Sequence, residues 1–190
     1  CDEAAAPVAV AWPGAAVQGA FAATHAPYAE ASFAAVNREV EAWRGRWRRV
    51  AVESCRATRE QDTQSEAMLD LRTACLMRAR DGLRTYADAL VHADASLVEK
   101  APSLATRLPE LAECDAVSLA GMAPPPPDPH GTRQLIETAL TGIERDTLRG
   151  LSLDGAKALL PVARVWAAAA TTLGWQPVIA RAHRAIAMLE

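Results

Sequence analysis

Aromatic residues make up only 5 % of this 190-residue sequence, and β-branched residues are sparse. Alanine supplies much of the 51 % apolar content instead. These shortages argue against a sheet and for helices, because alanine is the strongest helix former. No apolar run approaches the roughly 20 residues that a membrane span needs. The opening residues do not form a charged-then-apolar leader, and a chain starting abruptly at Cys1 reads as an excised or processed piece of something longer. A formal charge of −3 leaves no long-range field to draw in nucleic acid or an acidic membrane. No G-x-x-x-x-G-K-[ST], G-x-S-x-G or H-E-x-x-H occurs, and no pair of carboxylates stands out as acid and base. His25, His92, His130 and His183 are scattered, and the nearest two cysteines are twenty positions apart. Zinc sites want closely spaced ligand pairs, so neither a metal nor a cofactor is expected, and no catalytic residue is assigned.

What is present is helical periodicity. Residues 1–11 have no helical stripe and are interrupted by Pro7, which predicts an irregular lead-in. A first helix is expected from about Pro13 to His25, and Pro27 suits the first turn of the next. There Phe33, Val36, Val40, Trp43, Trp47 and Val50 alternate in threes and fours, a heptad seam. Continued to Gln61, it predicts a rod about 50 Å long. "DTQSE" supplies a turn, with Thr63 or Ser65 as N-cap and Thr63 with Glu66 fitting a capping box. A second stripe runs through Met68, Leu71, Cys75, Leu83, Tyr86, Leu90 and Leu97. Two long stripes with a short break predict an antiparallel helical hairpin.

Pro102 and Pro109 divide the next stretch into helices near 95–107 and 109–120, completing a helical bundle over 1–121. "GMAPPPPDPHG" then predicts an extended polyproline linker over 122–131. Beyond it Thr132–Arg149, Ser152–Leu173 and Gln176 to the end read as helices, with Gly150 and Gly174 at C′ positions and Ser152 and Pro177 at helix starts. That rhythm resembles tetratricopeptide hairpins over 132–190, with only a loose match to their signature. Among its residues Arg164, Trp166, Trp175 and Arg181 are the binding candidates, set against the plainer reading of core tryptophans and solvated arginines.

The four cysteines, Cys1, Cys55, Cys75 and Cys114, remain to be explained. Cys75 lies on an apolar stripe, the opposite of what a reactive thiolate needs, and fits either a small core residue or a disulfide. If the hairpin turns near Gln64, Cys55 and Cys75 lie within a few ångströms of the same height, inside disulfide reach. If it turns at Asp62, the mismatch approaches about 9 Å and excludes that bond. Cys114, returning from the far end, and Cys1, on its flexible lead-in, arrive near the same layer. The favoured pairing is therefore Cys55–Cys75 with Cys1–Cys114, one of three possibilities, and it implies an oxidising compartment. "EAWRGRWRRV" interleaves tryptophan with arginine but reads as core seam plus solvated face, not as a nucleic-acid site. "CDE" at the start also fits a lipidated lipoprotein with an aspartate retention signal, against the plainer reading of a structural cysteine.

With Cys1 and Trp12 in the lead-in, "AFAATHAPYAEASFAAV", "SCRAT", "QSEAMLDLRTACLMRAR" and "LPELAECD", nearly the whole chain resembles the region that follows the transmembrane segment in large myxobacterial receptor-type serine/threonine kinases. "CRAT…QSEAMLDLRTACL" is the most specific part, and the tail "GAKALLPVARVWAAAATTLGWQPVIARAH" is generic. The sequence departs from that pattern at Asp62, where the family usually has glycine, and in its short tail. The resemblance implies a non-enzymatic sensor or interaction region outside the membrane, on the periplasmic side. It would be tethered through a preceding segment and bind protein, peptide or envelope ligands, with a homodimer as an option. No G-x-G-x-x-G loop, HRD or DFG is present, so the kinase domain would lie elsewhere. The competing reading is a free-standing periplasmic helical-repeat lipoprotein scaffold.

Overall fold

The computed structural model describes residues 1–122, 126–150 and 153–190, with the side chain of Leu153 excepted. The protein is all-α: among the described residues there are seven α-helices and no strand. It divides into two compact units, 1–124 and 125–190, parting inside the proline-rich segment.

In the first unit a 3₁₀ helix, Asp2–Ala11, leads into α1, Gly14–Ala23. The lead-in is thus ordered rather than irregular. Val8 and Ala11 are buried, and Arg44 Nη2 donates to the Ala9 carbonyl at 3.0 Å. Helix α2, Ala29–Arg59, spans 31 residues, about 46 Å. Its buried face carries Val36, Val40, Trp43 and Trp47, then continues through Ala51, Ser54 and Thr58. Val50 and Phe33 of the expected seam are only half-buried. Helix α3, Glu66–Leu90, follows, and α4, Ala95–Ala105, packs chiefly on α2.

The tryptophans join these elements by filling the core while donating a hydrogen bond, which removes the cost of burying the indole N–H. Trp47 Nε1 donates to Leu76 O at 2.8 Å, Trp43 Nε1 to Pro109 O at 2.8 Å, and Trp12 Nε1 to Asn37 Oδ1 at 2.9 Å. Buried Tyr86 donates to Ala101 O at 2.8 Å, and burial pushes its phenol pKa up. Gly82 permits one close approach: a Cβ there would lie 2.8 Å from Pro109 Cγ.

Three boundaries differ from expectation. The stripe through Leu97 is two helices, because Asp94 accepts from Leu97 N at 2.8 Å and caps a new helix. Ser65 alone is the N-cap of α3, accepting from Met68 N at 3.2 Å, while Thr63 Oγ1 donates back to Ala57 O, so no Thr63–Glu66 box forms. The expected helix over 109–120 is only a short 3₁₀ turn, Leu111–Cys114. After it Asp115 is extended, and its carboxylate takes the Ser118 amide at 2.6 Å, an alternative to helical bonding.

The second unit contains α5, Thr132–Leu148, α6, Leu153–Leu173, and α7, Gln176–Leu189. Ser152, the expected start of α6, lies outside the described residues. All three helices touch one another around Ile136, Leu140, Ile143, Ala163, Ala170, Trp175, Val178 and Ala182. Asp128 serves as the acceptor at the head of α5, taking Arg133 N and Gln134 N at 3.1 Å each. Gly150 and Gly174 stand at φ +80° and +76°, the left-handed conformation that ends a helix.

Candidate functional site at the stapled hairpin tip

The turn between α2 and α3 places Asp62 at φ +52°, a left-handed conformation in which glycine is the default residue. Trp47 lies level with Leu76, and Tyr28 Oη donates to Ala95 O at 3.1 Å, so the hairpin is antiparallel about a point near Asp62. At that register Cys55 and Cys75 differ in height by about 10 Å, beyond disulfide reach. The favoured pairing is therefore corrected. Cys1 bonds Cys55 and Cys75 bonds Cys114, each with Cα atoms 5.5 Å apart. Facing contributes as well as height. Cys55 is one residue past buried Ser54 and so about 100° further round α2, against the N-terminal 3₁₀ segment.

Between the staples lies a polar layer that the periodicity did not single out. Gln64 Nε2 donates to Thr58 Oγ1 at 2.8 Å, to Ser54 O at 3.1 Å and to Ser54 Oγ at 3.2 Å. Its Oε1 accepts from Arg72 Nη1 at 2.8 Å, and Arg72 Nε donates to Cys114 O at 3.1 Å. Burial holds the Arg72 guanidinium below its ordinary pKa, with Glu53 and Asp115 opposing the shift. Arg72 and Cys75 are one helical turn apart on the same face of α3, so one holds segment 111–114 by a hydrogen bond and the other by a covalent bond. The signal was available: Ser54 and Thr58 extend the seam of Trp47 and Ala51 with the same spacing.

All four cysteines are oxidised, leaving no free thiol. His25, His92, His130 and His183 are exposed, and no three potential metal ligands gather among the described residues. The arrangement constrains helices mechanically. Two disulfides fit an oxidising, extracytoplasmic environment, and among the described residues no helix is long and apolar enough to cross a membrane.

The four binding candidates in the second unit do not converge. Trp175 is buried, with the Arg133 guanidinium 5.6 Å from its ring centroid. Arg181 Nη2 and Nε bind Glu144 at 2.6 and 2.8 Å, and Nη2 also donates to Thr141 Oγ1 at 2.8 Å. Trp166 is half-buried against the core. Arg164 is exposed and lies 3.3 Å from Glu190, while Val162 and Val165 at other azimuths of α6 are 44 % and 67 % exposed. Comparison with protein-family models, curated proteins and solved structures returns no match.

Proposed function

We propose that this chain is a non-enzymatic sensor or interaction region on the periplasmic side of the inner membrane, part of a bacterial serine/threonine kinase receptor, where it binds a protein, peptide or envelope ligand. The observation that carries this reading is the pair of disulfides fastening the N-terminal segment and segment 111–114 to the tip half of the hairpin. Such bonds persist where cytosolic reductants are absent. The left-handed Asp62 adds support, since the resembling family keeps glycine at that turn and glycine suits that backbone. The second unit is read as tetratricopeptide-like hairpins, with exposed Arg164 as its remaining binding candidate.

Cys1 discriminates between this reading and the lipoprotein scaffold. A lipidated N-terminal cysteine carries a diacylglyceryl group as a thioether on Sγ, and that sulfur cannot also pair with Cys55. The Cys1–Cys55 bond therefore favours the receptor. It also fastens the start of the chain to α2, so a pull on a segment preceding Cys1 would pass to the 31-residue rod through Cys55. The gene upstream of Cys1 provides the test. A kinase domain and a membrane span there support the receptor. A signal peptide alone, together with a diacylated Cys1 in natively isolated material, sinks it.

A further inference from the structure

The outward side of α2 carries charge that the fold does not use. Residues 38–49 hold five arginines against two glutamates in a chain whose net charge is −3. Arg44 pairs with Glu41 and reaches the Ala9 carbonyl. Arg38, Arg46, Arg48 and Arg49 are exposed and make no ion pair among the described residues. The residues four positions before Arg38, Arg46 and Arg49 are Ala34, Ala42 and Gly45. Glu41, three after Arg38, pairs with Arg44, and Glu53, four after Arg49, acts on Arg72. Arg44 with Arg48, and Arg46 with Arg49, place like charges one turn apart, which disfavours the helix.

We propose that Arg38, Arg46 and Arg49 form a docking ridge for an anionic phospholipid surface. At 100° per residue the three fall within an arc of about 80° and span about 17 Å of a helix. They therefore present their guanidinium groups to a plane, and the small residues between them leave those groups outermost. A Cβ built on Gly45 meets nothing within 4 Å, so the ridge is open. The ridge bears no exposed large apolar side chain, so it lacks the central anchor on which a protein partner relies. Trp43 and Trp47, which would supply stacking for a nucleic acid, are buried. Guanidinium groups suit phosphate headgroups, and a basic cluster close to an anionic lipid surface is attracted to it. Arg48, about 80° to the other side, borders the ridge. The inference does not require a kinase in the same polypeptide.

Co-sedimentation of the 190-residue chain with phosphatidylcholine vesicles, with and without phosphatidylglycerol, is the test. Binding is expected only with phosphatidylglycerol, and it should disappear near about 1 M salt, where the Debye length is about 3 Å. Each arginine removed should weaken binding about fivefold, so Arg38→Gln, Arg46→Gln and Arg49→Gln together weaken it about a hundredfold. The matching triple lysine variant should retain binding, and circular dichroism should show all variants equally folded. Absence of binding at low salt, equal binding to pure phosphatidylcholine, or full retention by the glutamine variant would each overturn the proposal. So would a preference for duplex DNA over vesicles that follows the same arginines.

Discussion

The two units solve one problem, holding amphipathic helices together, by different means. The first covers a 31-residue helix with short, irregular pieces and closes the assembly with two disulfides, tryptophan hydrogen bonds and the Gln64–Arg72 layer. The second has no cysteine. It packs three helices of 17, 21 and 14 residues around alanine, valine, leucine, isoleucine and Trp175, with a tight ion pair between Arg181 and Glu144. Regular helices bury their stripes against each other over several turns. Short segments such as 2–11 and 111–114 bury few side chains, and a crosslink compensates by restricting the unfolded chain.

Removing the crosslinks should therefore separate the units most. Loop closures of 54 and 39 residues predict about 4 kcal/mol of stabilisation from each bond. Reduction, or serine at all four cysteines, should collapse hydrogen-exchange protection in 1–124 while leaving α5–α7 protected. Equal loss in both units would remove the distinction. In the second unit Arg181→Leu should cost about 2 kcal/mol, because Glu144 and Thr141 lose their partner in a part-buried setting. Thermal unfolding of the 132–190 signals reports it, and the first unit should not move.

Two glycines sharpen the contrast between tight and open packing within α2 and α3. Gly82→Ala should destabilise by about 1–2 kcal/mol, as the Pro109 ring blocks the new methyl. Gly45→Ala, with open space around it, should instead stabilise by about 0.5–1 kcal/mol in denaturant melts. The smallest effect concerns Asp128. Desolvation raises its pKa, but the Arg133 and Gln134 amides outweigh it and hold the carboxyl below its ordinary range. Its contribution to the second unit is thus present above the ordinary carboxylate pKa and is lost as pH falls below that range. Asp128→Asn should flatten this acid limb in a pH series of melting temperatures.

The long helices were legible because a buried stripe repeats along the chain. Val36 through Trp47, and Ala79 through Leu90, show it without knowledge of the partner. The lead-in was misread because it is ordered by Val8 and Ala11, two residues too few to make a pattern. Segment 109–120 was misread because Asp115 and Cys114 divert its hydrogen bonds and its course.

Composition and periodicity alone settled that this protein is built of helices, since helix formation and amphipathic spacing are local properties. The cysteine pairing was decided in three dimensions. A one- or two-residue change in where the hairpin turns shifts opposing side chains by several ångströms. Side-chain azimuth then selects which neighbour each sulfur meets. Asp62 in its left-handed turn set the register, and the register sent Cys55 to Cys1 and Cys75 to Cys114.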